Sequence, residues 1–169
     1  MVRFGTERDR GHVAQTMLEA LGVSDARLAD ELRAAGFTAS TVRLVHSAPL
    51  VRVAWADGTV TEDERRRIRD AAADDGVADT RASEALLERW LTERPPDHVL
   101  RASLKAVIAW LWRLAPAERL AAGRRLLERC QAVARASGSQ AGAGAISRTE
   151  HEAIDEIATL LAAAQRQPA

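Results

Sequence analysis

Apolar positions recur along this chain at intervals of three and four residues almost from end to end, and nowhere do they alternate in twos between Asn-Gly-type turns. That period lines one face of a helix, so the sequence predicts an all-α fold. A short helix is expected over 11–21. A second, "SDARLADELRAAG", would be opened by Ser24 as N-cap and closed by Gly36. A third begins near Ala39 and is interrupted or restarted at Pro49. Helices then follow from Thr61 to about Asp75, over 80–94 before Pro95-Pro96, over 98–114 with Asp97 as its cap, over 116–136 from Pro116, and over 147–165. The 98–114 segment is apolar almost all round, with Leu100, Leu104, Val107, Ile108, Leu111 and Leu114 on one stripe, and belongs at the centre of a bundle. Leu120, Leu127, Cys130 and Val133 are expected to face inward from the next helix, and Ile154, Ile157, Ala158 and Leu161 from the last.

Length and composition narrow this without naming a function. A chain of 169 residues with 47% apolar content can bury one sizeable core, and no linker divides it. The organisation expected is an N-terminal helical extension over 1–43 packed on a helical domain over 44–165, with a frayed tail at 166–169. The 24 basic and 24 acidic residues cancel, which favours neither nucleic acid nor an anionic membrane as partner. The longest apolar run, "AVIAWLW", is far short of the roughly 20 residues that cross a bilayer. With no apolar leader in "MVRFGTERDRGHV" and a single cysteine, the expectation is a cytoplasmic protein.

Two stretches repeat one another. "LVRVAWADG" over "CQAVARASG" pairs Val53 with Val133, Ala54 with Ala134, Ala56 with Ala136 and Gly58 with Gly138. After six extra residues, "TVTEDERRRI" over "AISRTEHEAI" pairs Val60 with Ile146, Thr61 with Ser147, Glu64 with Glu150 and Ile68 with Ile154. Two helix-turn-helix hairpins of one design are expected. Each turn explains itself: the glycine takes a left-handed conformation, and Thr61 with Glu64, or Ser147 with Glu150, forms a capping box worth about 1 kcal/mol.

The first hairpin also looks like half of a calcium loop, with Asp57, Gly58, Val60 and Glu64 at positions 5, 6, 8 and 12 of an EF-hand. Positions 1 and 3 fall on Val53 and Trp55, so a closed oxygen cage cannot be built there. If the hairpins pack face to face, Asp57, Glu64 and Glu150 can meet and hold a hydrated divalent cation weakly. These are the candidate metal residues, and no other cofactor is expected.

"ADGTVTEDE" after an apolar helix, with a second hairpin containing "ISRTE", resembles the TerB-like helical domain of tellurite-resistance proteins and of the N-terminal region of DjlA-type co-chaperones. The resemblance covers about residues 44–165. It implies a bundle of about seven helices containing the two hairpins, a stress-associated role, and an acidic cluster able to contact metal. By position, Asp57 and Glu64 match the first motif and Glu150 the second, whose aspartate is replaced here by Ser137.

Other motifs have plain structural explanations. "RLADELRAAGFTASTVRLV" has the contour of a DNA-reading helix-turn-helix, with Gly36 in the turn, but offers only Thr38, Ser40, Thr41 and Arg43 as polar reach. His12, His46, His98 and His151 have no zinc-ligand spacing and are expected at the surface or in caps. Cys130 reads as a core thiol, "GSQAGAGA" as a flexible loop, and the tryptophans as core or core-edge residues. No nucleophile, base and orienter assemble from spacing. The expectation is a non-enzymatic interaction or stress-response module whose partner is a protein or a second copy; a divalent-metal sensor and a DNA-binding regulator using residues 27–45 are the alternatives.

Overall fold

The computed structural model describes residues 15–137 and 146–166, which form helices and no strand. Helix α1 covers residues 15–21, α2 Ala26–Ala34, and a 3-10 segment Val42–Ser47 leads directly into α3, Ala48–Ala54. The remaining helices are α4 (Glu62–Asp74), α5 (Arg81–Thr92), α6 (Asp97–Arg113), α7 (Pro116–Ser137) and α8 (Arg148–Arg166). The all-α bundle expected from periodicity is therefore the fold. None of the described helices is long and apolar enough to cross a membrane.

Three helices stop by one device. At Gly22, Gly36 and Gly76 the backbone turns left-handed, with φ of 65°, 88° and 59°. The next amide then reaches back five residues, Val23 to Leu18, Phe37 to Leu32 and Val77 to Ala72, each at 3.0 Å. Both residues of every pair are buried. Hydrogen bonding and apolar contact thus close the same turn.

α7 packs on α3, α4 and α8, while α6 lies against α2, the 3-10 segment, α3 and α8. Eight of the seventeen α6 residues are buried, which gives it the central place its composition predicts. Its C-terminal carbonyls are capped from the next helix: the Arg119 guanidinium donates to the carbonyls of Leu111, Trp112 and Leu114. α5 is tied on through edge-to-face packing of Phe37 on Trp90, the Trp55 indole donating to the Trp90 carbonyl, and Arg69 forking onto Glu88.

Several local expectations are corrected. Asp25, not Ser24, caps α2, because its carboxylate accepts from the amides of Arg27 and Leu28. Asp97 is the first residue of α6, after Pro96 as N-cap, and pairs with Arg94. Arg69 bridges α4 to α5 through Glu88. Leu120 is 39% exposed, since the first turns of α7 run past the end of the core. Trp112 is 42% exposed, yet its indole donates to the Ala164 carbonyl of α8. The expected helix start at 11–14 and the tail at 167–169 lie outside the described residues.

A Cβ at Gly36 would meet no atom within 4 Å, so replacement there costs only backbone strain. Gly36→Ala is expected to lower stability by about 1 kcal/mol, and melting by about 2–4 °C. Gly36→Asn should cost less. Urea unfolding should show a lower midpoint with an unchanged slope.

Candidate functional site

The first hairpin joins α3 to α4. Val53 and Ala54 are fully buried, and Trp55 gives its indole N–H to α5, so the two EF-hand positions lacking carboxylates are part of the core. Asp57 Oδ1 accepts from the Thr59 amide at 3.0 Å and its hydroxyl at 3.3 Å, an Asx turn that shapes the loop before Gly58, φ 92°, changes its direction. At the start of α4 the capping box is complete: the Glu64 amide donates to Thr61 Oγ1 at 3.3 Å, and the Thr61 amide donates to Glu64 Oε2 at 2.7 Å. The Thr61 hydroxyl is also 2.8 Å from Oε2.

At the start of α8 the same two backbone bonds recur. The Ser147 amide donates to Glu150 Oε2 at 2.7 Å and the Glu150 amide donates to Ser147 Oγ at 3.2 Å. Glu64 and Glu150 are 1% and 0% exposed, unusual burial for carboxylates. Gly138 and the loop over 138–145 lie outside the described residues.

The two sites differ at their second oxygen. Glu150 Oε1 lies 2.9 Å from the Ser137 hydroxyl, whose single proton is shared between it and the Ala134 carbonyl at 2.7 Å. Glu64 Oε1 is buried and meets no donor among the described residues. The sequence aligns Asp57 with Ser137, and a carboxylate cannot donate as a serine hydroxyl does. Burial pushes the Glu64 carboxyl up to about 7; the Thr61 hydrogen bonds oppose this, and the negative charges of Glu150 and Asp57 push further upward. The other two candidate metal residues, Asp57 and Glu150, therefore lie within electrostatic reach of Glu64. Among the described residues, however, no group of three His, Cys, Asp or Glu side chains is arranged to hold a metal ion. Any cation at this junction would have to keep water in most of its coordination positions.

The other sequence-derived candidates are placed as follows. After Gly36 the DNA-reading segment forms a turn and a 3-10 stretch in which Val42, Leu44 and Val45 are buried, so no exposed recognition helix follows the turn. Its polar reach is used internally: Thr38 and Thr41 bond each other, Thr80 donates to the Ser40 carbonyl, and Arg43 pairs with Asp79. Cys130 is fully buried and its thiol is pushed up to about 12 by burial, which makes it inert. His98 and His151 are exposed, and the His151 ring lies 3.3 Å from the Ser147 carbonyl. His46 departs from expectation. It packs edge-to-face on Trp110, ring centroids 4.8 Å apart, and burial lowers its pKa to about 4, so it is neutral. It lines a cavity of about 320 Å³ that periodicity could not disclose, because the lining comes from six separate helical segments and one connecting loop.

What these observations define is an all-α bundle with two buried helix-capping glutamates, Glu64 and Glu150, and an exposed Asp57. Compared with protein-family models, with curated proteins and with solved structures, the chain matches none.

Because the folded-state pKa of Glu64 lies above its ordinary value of 4.5, the folded protein holds a proton that the unfolded chain has released. Its contribution is fully present below about pH 4.5 and is lost as pH rises through about 7. Relative to Glu64→Gln, the protein should lose on the order of 2 kcal/mol between about pH 5 and 8, read from urea midpoints across that range. Asp57→Asn should reduce that loss by removing a like charge. Ser137→Ala should destabilise by about 1–3 kcal/mol by stripping the donor from buried Glu150 Oε1.

Proposed function

We propose that the protein is a non-enzymatic helical binding module of the TerB-like kind, in which two pseudo-repeated hairpins meet at an acidic junction completed by a proton or a hydrated divalent cation. The observation that carries this reading is the Glu64 Oε1 atom, buried, without a donor among the described residues, on a carboxyl that feels the charge of Glu150 and Asp57. A buried carboxylate oxygen in that position either takes up a proton or is neutralised by a cation. The equivalent burial of Val53 and Val133, Ala54 and Ala134, and Glu64 and Glu150, with the same reciprocal cap at each helix start, supports the pseudo-repeat. A cytoplasmic stress-response role, with a protein partner or second copy bound to the bundle surface, is the setting the resemblance implies.

The divalent-metal sensor is the second reading, and the same oxygen favours it. Its ion would be bound through Glu64 and Asp57 with Glu150 contributing field, and affinity would be weak because most ligands are water. A DNA-binding role has no comparable observation behind it.

Thermal melts at pH 7.5 with Ca²⁺, Mg²⁺, Mn²⁺ and Zn²⁺ test the junction. For a millimolar site, tenfold excess cation should stabilise by about 1.4 kcal/mol, roughly 3–6 °C. Both Glu64→Gln and Asp57→Asn should remove the shift. Equal shifts in both variants and the parent would sink the cation reading. A flat Glu64→Gln difference across pH would sink the proton reading as well. Sedimentation over a wide concentration range tests self-association.

A further inference from the structure

The cavity beside His46 shares no residue with the acidic junction. Its walls are Leu21 of α1, Leu50 of α3, Val77 after α4, and Val107 and Leu111 of α6, side chains otherwise almost entirely withdrawn from solvent. Trp110 and His46 form one side, the two rings set edge to face. At about 320 Å³ it has room for about ten waters, or one small organic molecule. It is a half-open cleft, with apolar walls and charged side chains together in its lining.

Charge around the lining is one-sided, although the chain as a whole is neutral. Three arginines, Arg43, Arg125 and Arg129, face one aspartate, Asp75. Arg129 is paired with Asp75, and Arg43 is held by Asp79. Arg125, one turn before Arg129 on α7, is exposed and has no carboxylate partner among the described residues. A guanidinium at the rim of an apolar hollow recognises a planar anion bidentately, while the walls take the rest of the molecule. The His46 ring, uncharged and without a hydrogen bond among the described residues, adds a polar group that does not repel such a ligand's apolar body.

We propose that this cavity is a binding site for a small amphipathic carboxylate, its hydrocarbon or ring body against Leu21, Leu50, Val107 and Trp110 and its carboxylate on Arg125. A cationic or uncharged molecule of the same length gains the walls but not the arginine. The site is thus selective by head group, not by shape alone.

The test uses the full chain and sodium octanoate as probe, followed by calorimetry and tryptophan fluorescence, with octylammonium and 1-octanol as matched controls. One saturable site with Kd below about 1 mM is expected. Octylammonium and octanol should bind at least about tenfold more weakly. Arg125→Glu, at an exposed position that leaves the core untouched, should weaken octanoate about tenfold or more while the melting temperature without ligand is unchanged. Ala122→Trp, which fills the cavity from α7, should abolish binding, and Trp110→Phe should remove the fluorescence response. The proposal is overturned if octanoate fails to saturate, if octylammonium binds as tightly as octanoate, or if Arg125→Glu binds like the parent protein.

Discussion

A carboxylate withdrawn from water must be given hydrogen-bond donors, a proton or a counter-charge, and this chain withdraws two. Glu64 and Glu150 are placed at the third position of α4 and α8, where the exposed amides of a helix start and the positive end of its dipole supply the first donors. That requirement fixes where both helices begin and how the preceding turn approaches. Because the two carboxylates are buried, it also bears on how α3 with α4 and α7 with α8 lie in the bundle. The apolar residues Val53, Ala54, Val133 and Ala134 are buried in the core.

The second oxygen breaks this equivalence. Ser137 completes the environment of Glu150, whereas Asp57 is committed to its own loop through Thr59 and brings a like charge toward Glu64. One junction is thus closed and the other left with an electrostatic demand near neutral pH. A single side chain at one aligned position decides whether the second carboxylate oxygen meets a hydroxyl or a like charge.

Toward the C-terminal end of α4, burial acts in the reverse sense on a base. His46 is held neutral beside Trp110, and the ion pairs at the cavity rim neutralise Arg43 and Arg129 but leave Arg125 open. Both regions follow one rule: where a titratable group leaves water, the neighbours it is given determine which charge state the fold tolerates.

Local patterns carried much of this in the sequence. The helical period of Leu100 to Leu111, the glycines at helix ends, the capping residues Thr61 with Glu64 and Ser147 with Glu150, and the buried Cys130 depend on neighbours within a few positions, which a chain can specify before it folds. Ser24 and Asp25 are both competent caps for α2, and only backbone geometry chooses between them. What tertiary structure alone decided is everything that depends on distant segments meeting. The Ser137 hydroxyl lies 2.9 Å from Glu150 thirteen residues away, Glu64 Oε1 meets no donor among the described residues, His46 lies on Trp110, and a hollow is assembled from six helical segments and a connecting loop. Sequence spacing states which residues share a helix face; it does not contain the distance between two faces, and charge, cavity and hydrogen bond all turn on that distance.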